Sequence, residues 1–204
     1  MKPAKLSFFS NIVLISITTI LMICALSLTW MGADYKMEVS PLSFSMKTEI
    51  TLTKMKVKGE IPIFGKIDME NKLKEACDTD SKNTACKLSR ASIALITLST
   101  FGMVCIIAAG VIIILNLCCK MSEKSPKAFK FIYMGTVIAG FVLFVVSFIE
   151  YTIVAKDFKG DMKGDMEEEG IDLKYKGGWI IYLVGTILSL IILIIGASNL
   201  CFKD

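Results

Sequence analysis

The sequence predicts an all-α membrane fold, a bundle of four transmembrane helices that carries a small antiparallel β-sheet on its extracellular side. Three observations predict it. Hydrophobic residues make up 54% of the 204 positions and the mean hydropathy is +0.63, against about 45–50% apolar content in soluble domains. The charged residues fall almost entirely into two loops and three short ends, which leaves four apolar stretches long enough to cross about 30 Å of hydrocarbon as helices. The longer loop contains a run in which apolar and polar residues alternate, the period of a half-buried strand.

The first stretch runs from about Leu6 to Trp30. Lys2 and Lys5 precede it, and Ala25-Leu26-Ser27 loosely resembles a cleavage site. Its apolar core is longer than the ~7–15 residues of a signal peptide, so it is expected to be retained as a span. The loop at residues 31–90 follows. From Met46 it places Met46, Thr48, Ile50 and Leu52 on one face and Lys47, Glu49, Thr51 and Thr53 on the other. At Thr53-Lys54 the phase slips to Met55 and Val57, which predicts a bulge or bend. Gly59 is expected to break the run, Ile61, Ile63 and Ile67 to form a second short strand around Phe64-Gly65, and Asp68 to Ala76 to form a short helix leading to Cys77.

The second, third and fourth spans run from about Ala91 to Cys119, Phe129 to Ala155 and Trp179 to Cys201. Only Lys130 and Glu150 place a charge inside these limits. The loop at residues 156–178 contains a tandem Lys-Gly-Asp-Met, at Lys159 to Met162 and Lys163 to Met166, followed by Glu167, Glu168 and Glu169. It reads as a solvated hairpin, because the acidic spacing does not match the ordered loops that cage calcium. The whole chain, 1–204, is expected to be one membrane domain.

Positive residues near the spans mark the cytoplasmic side. Lys2 and Lys5, then Lys120, Lys124, Lys127 and Lys130, then Lys203 share one side by topology. The lysines of residues 31–90 are discounted by loop length and distance. Both termini are therefore expected in the cytoplasm and the long loop outside, at the plasma membrane. Of seven cysteines, only Cys77 and Cys86 lie in a loop, and two cysteines in one exported loop read first as a disulfide. With the opposite orientation they would be two free thiols.

Four spans, the larger loop between the first two, Trp30 at the end of span one, the Cys77/Cys86 pair and Arg90 in Cys86-Lys-Leu-Ser-Arg-Ala-Ser resemble the claudin superfamily. That superfamily includes the peripheral myelin proteins, calcium-channel gamma subunits and fungal cortical tetraspan proteins. Gly178-Trp179-Ile-Ile-Tyr182-Leu-Val-Gly185 is similar to its fourth span. The Gly-Leu-Trp triplet of the family is absent before Cys77, and no valine motif stands at the C-terminus, so no PDZ scaffold is expected there. Tetraspanins, by contrast, place the larger loop between spans three and four, and gap-junction proteins need cysteines in both loops. The resemblance implies a protein that acts by extracellular-loop and lateral contacts in cell adhesion, junctions or membrane-domain organisation. An auxiliary subunit of a channel or receptor is the alternative. Its loop charges are balanced, so no paracellular ion selectivity is expected.

The chain has no histidine, which removes the usual general base and the commonest metal ligand. A membrane disulfide oxidoreductase would need a Cys-x-x-Cys pair, and the only close pair is Cys118-Cys119. The protein is therefore expected to be no enzyme and to hold no cofactor or metal. Its expected partners are membrane lipid and a further copy or another membrane protein, and not nucleic acid. Cys118, Cys119 and Cys201 lie at the cytoplasmic ends of spans two and four, where reversible palmitoylation occurs; packing as small buried thiols is the other reading. Glu150 is expected to pair with Arg90 in preference to lining an ion pathway, since a carboxylate at membrane depth needs a partner. Gly135 and Gly140 in span three and Gly185, Ser189 and Gly196 in span four are expected to let helices approach closely.

Overall fold

The computed structural model describes residues 3–39, 42–61, 65–75, 77, 84–119, 126–165 and 173–201. Among them are four long helices: α1 (Pro3–Ser27), α2 (Thr84–Cys119), α3 (Pro126–Asp165) and α4 (Gly177–Cys201). Prolines open α1 and α3, where the missing N–H has no intrahelical acceptor to lose. All four helices are long and apolar enough to cross a membrane, and the chain is a multi-pass membrane protein on that ground. At 1.5 Å per residue α2 and α3 measure about 54 and 60 Å, well beyond a ~30 Å hydrocarbon layer. Their exposed residues recur at helical spacing, as Phe101, Val104, Ile107 and Val111 do on α2. Such a stripe is what lipid covers.

The residues group into two compact units, described in turn. The helical unit comprises Met1–Cys24, Thr97–Phe148 and Ile181–Asp204. Glycines set its closest approaches. A Cβ on Gly102 would stand 2.7 Å from the Phe144 ring and 3.2 Å from the Gly140 carbonyl, and one on Gly140 would stand 3.1 Å from the Gly102 carbonyl. The two backbones of α2 and α3 therefore touch there. Gly185 makes room for Met22 and Gly196 for Tyr133, whereas Gly135 faces open space. Gly135 is thus no packing residue, against the expectation, because it lies on the exposed side of α3.

Polar groups also tie this unit together. Tyr182, Ser99 and Ser147 are all fully buried. The Tyr182 hydroxyl lies 2.5 Å from Ser99 Oγ and 2.7 Å from Ser147 Oγ, and Ser147 Oγ donates to the Phe144 carbonyl at 3.0 Å. Phe148 stacks on the Tyr182 ring at 5.4 Å. Three helices thus share one hydroxyl cluster. Replacing Tyr182 with phenylalanine keeps the stacking and leaves both serines short of a partner, so unfolding in bicelles should become easier by about 0.5–2 kcal/mol. An unchanged unfolding transition would show that the cluster adds nothing.

The second unit comprises Ala25–Ile96 and Ile149–Ile180. Its core element is an antiparallel sheet of β1 (Met31–Val39), β2 (Leu42–Ile50), β3 (Lys54–Ile61), β4 (Gly65–Lys72) and β5 (Lys174–Tyr175), in the order β4-β3-β2-β1-β5. The first four strands come from the long loop and the fifth from the second loop. Several local expectations are corrected here. The phase slip at Thr53-Lys54 is the expected bend, the hairpin turn between β2 and β3, and no bulge: Thr51 N–H donates to the Lys54 carbonyl at 2.9 Å. Gly59 does not end its strand, because it pairs with Met46 and Ile67 inside the sheet. Asp68 to Lys72 is strand, Leu73–Glu75 forms a single 3-10 turn, and Ala76 lies outside the described residues. Finally α3 continues to Asp165, so the first half of the second loop is helical and no hairpin. Phe158 is buried there and gives that extension an apolar anchor. Glu167 to Glu169 lie outside the described residues.

Candidate functional site

The sheet of the second unit is the candidate site, and its register sorts residues onto two faces. Across one face run the rows Asp34–Lys47–Lys58–Asp68 and Gly32–Glu49–Lys56–Glu70. Across the other run Ala33–Thr48–Val57–Met69 and Met31–Ile50–Met55–Asn71. One face is charged and the other largely apolar. On the apolar face Met31, Ala33 and Ile50 are buried, Met55 and Val57 half-buried, and Met69 exposed. Burial therefore deepens from β4 towards β1.

On the charged face Lys47 meets Glu49 at 2.7 Å, Lys54 and Lys56 meet Glu70 at 2.5 and 3.5 Å, Lys56 meets Asp68 at 3.8 Å and Lys176 meets Asp34 at 3.3 Å. Hydrogen bonding from Lys47 holds the Glu49 carboxyl below its ordinary range, and Lys54 does the same for Glu70. A carboxyl with a depressed folded-state pKa contributes stability that is present above its ordinary 4.5 and is lost as pH falls through the folded value. Amide exchange in β2 to β4, corrected for intrinsic rate, should therefore be flat between pH 6 and 8 and increase only below about pH 4.5. The rise should be modest, since exposed pairs are screened by water. Loosening already at pH 6 would contradict these assignments.

Trp30 anchors the sheet. It is fully buried, its Nε1–H donates to the Ala25 carbonyl at 2.7 Å, and its ring meets Tyr151 edge-on at 4.7 Å. The Ala25 carbonyl belongs to the last turn of α1, where the i+4 helical donor is missing, and it also accepts the Leu28 N–H at 3.4 Å. The Trp30 backbone receives Lys176 N–H at its carbonyl, at 2.8 Å, and donates its own N–H to Ile50 at 2.9 Å. Gly178 N–H donates to Thr29 at 3.0 Å. A Cβ on Gly178 would stand 2.6 Å from the indole, so only glycine lets the start of α4 lie this close. Trp179, half-exposed, donates to Thr152 Oγ1 at 3.3 Å and stacks on Tyr175 at 4.9 Å.

A disulfide joins Cys77 to Cys86, buried in the first turn of α2. In that turn Thr84 Oγ1 donates to Asp161 of α3 at 2.5 Å. The other singled-out residues do not gather here. Cys118 is a free, exposed thiol, as is Cys24, while the side chains of Cys119 and Cys201 lie outside the described residues. Glu150 and Arg90 form no ion pair with each other, against the expectation. Both are exposed, each one residue removed from a buried neighbour, Tyr151 and Ala91. Counted at 1.5 Å per residue from the Thr84–Asp161 hydrogen bond, Arg90 lies about 9 Å along α2 and Glu150 about 16 Å along α3.

Tyr151, Tyr175 and Gly178 were not legible as site residues. The signal for the two tyrosines was aromatic placement at the ends of apolar runs, where Trp and Tyr favour the membrane boundary; Gly178 stood only in the stretch similar to the family's fourth span. Among the described residues no group of three His, Cys, Asp or Glu side chains is placed to hold a metal ion. The arrangement can present side chains on a braced surface. No protein-family model matches the chain, and a search of curated proteins finds no significant match.

Proposed function

We propose that this protein is a divergent relative of the claudin superfamily that works by contact. Its sheet stands outside the plasma membrane with both termini in the cytoplasm, and it acts through loop and lateral contacts in adhesion, junctions or membrane-domain organisation. One observation carries the reading: a two-faced sheet, built from both loops that follow the odd-numbered spans, is braced through Trp30 to the ends of α1 and α4. The disulfide between Cys77 and Cys86 supports the same side for the loop, because such bonds persist in oxidising compartments. The rows of mixed charge give this surface a pattern without a strong net sign, which suits recognition of another patterned surface over attraction of ions of one charge.

The test is expression in cells that do not adhere on their own. The expected result is aggregation of expressing cells, particle rows in freeze-fracture, and labelling of Cys77 and Cys86 by an impermeant maleimide only after mild reduction. Dispersed cells with one stoichiometric channel or receptor co-purifying would replace this reading by the auxiliary-subunit one. Labelling only after permeabilisation would invert the orientation and remove adhesion.

A further inference from the structure

We propose that the exposed side of α3 around Glu150 is a lateral docking surface for a second copy of this chain, whose Arg90 supplies the opposite charge. The inference deepens the contact reading above and rests on it. Ile149 and Ile153 flank Glu150 and are 52% and 57% exposed, while Tyr151 and Ala155 on the opposite side are fully buried. The carboxylate therefore stands on the part of α3 that its own chain leaves uncovered, inside a segment long and apolar enough to cross a membrane. An ionised group facing hydrocarbon is strongly disfavoured unless something pairs with it. Among the described residues Glu150 makes no ion pair.

Charge complementarity selects the occupant. The chain has one arginine, Arg90, and it too is exposed, with Ile93, 52% exposed, next along the same side of α2. Two uncovered helix sides thus carry opposite charges that do not meet within one copy: Arg90 with the exposed Lys87 one turn before it on α2, and Glu150 with the exposed Asp157 two turns after it on α3. Their levels differ by about 7 Å, a gap that an extended arginine and a glutamate together span. Guanidinium and carboxylate also match as a forked hydrogen-bonded pair, which a lysine could not form. The two sides lie on different helices, so the contact is head-to-tail: α3 of one copy meets α2 of the next and a row grows.

The test uses the full chain in phosphatidylcholine nanodiscs and cells, with Cys24, Cys105, Cys118, Cys119 and Cys201 replaced by serine. A tagged Ile153→Cys copy that keeps Glu150 is co-expressed with a differently tagged Ile93→Cys copy that keeps Arg90, and mildly oxidised. Cross-linking of the mixed pair should exceed that of either variant alone by roughly tenfold. Glu150→Gln and Arg90→Gln should each lower co-capture of two tags by a similar factor, and Glu150→Arg with Arg90→Glu in the same chain should restore it. Equal cross-linking in all combinations, or co-capture indifferent to Glu150→Gln, overturns the proposal. Each variant is first shown to form the Cys77–Cys86 disulfide and to unfold at the wild-type temperature. Cell aggregation that persists without the cross-link removes this pair and leaves the contact reading intact. A cross-link without aggregation does the reverse.

Discussion

Replacing Trp30 with alanine should lower the free energy of unfolding in mild detergent by about 3–5 kcal/mol, the range for a fully buried aromatic residue cut back to a methyl group. The loss has three parts. The indole fills a closed space against Tyr151, its N–H satisfies the Ala25 carbonyl, and its ring is the surface on which Gly178 packs. Phenylalanine at this position keeps most of the ring and loses the hydrogen bond, so it should cost about 1–2 kcal/mol. Gly178→Ala should cost about 1–3 kcal/mol by overpacking. In the Trp30→Ala background the added methyl finds room, so the double variant should be more stable than the sum of the two losses implies. Thermal unfolding of the four proteins measures this directly. Strict additivity would show that the indole and Gly178 do not share one space.

The second large effect is expected at the disulfide. Replacing Cys77 and Cys86 together with serine opens a link between residues 9 apart in sequence, worth about 2–3 kcal/mol by the entropy of a short closed loop. The damage should be local. Cys77 follows β4 and the 3-10 turn at Leu73–Glu75, and Cys86 sits in α2, so the bond fixes the sheet's open edge to a long helix. Hydrogen exchange should accelerate most in β4 and β3 and least in β1, which Trp30 holds separately. Equal acceleration across all strands would mean that the sheet unfolds as one unit and that the bond stabilises it only globally.

Much of the architecture was legible because membrane helices are written in plain composition. The four apolar runs at residues 6–30, 91–119, 129–155 and 179–201 correspond to α1, α2, α3 and α4, and the main disagreements are at the ends. Those ends are where the reading ran short, since α2 begins at Thr84 and α3 runs to Asp165 through residues whose charges look like loop. Their helicity is held by neighbours, including Thr84 on Asp161 and the buried Phe158, which no local pattern announces. The sheet was half legible. The alternation from Met46 found β2, yet Met31, Ala33, Tyr35, Met37 and Val39 alternate equally well and were not read as β1. The strand at Asp68–Lys72 was mistaken for a helix because its acids and lysines favour no strand locally; its pairing with β3 overrides them. The Arg90–Glu150 pair failed for a geometric reason: proximity to the same boundary says nothing about which side of each helix a charge occupies.

Trp30 also imposes an order on biogenesis. The ribosome delivers it with the first span, but Tyr151, Lys176 and Gly178 arrive only with the third and fourth. At ~5–20 residues per second, the nearly 150 residues between Trp30 and Gly178 take roughly 7–30 s to translate. Throughout that interval the indole has no enclosure, and every nascent chain shorter than residue 178 displays it. A premature stop before the last span would therefore leave a persistent apolar flag beside the bilayer surface, a mark by which a folding checkpoint can tell an unfinished chain from a complete one.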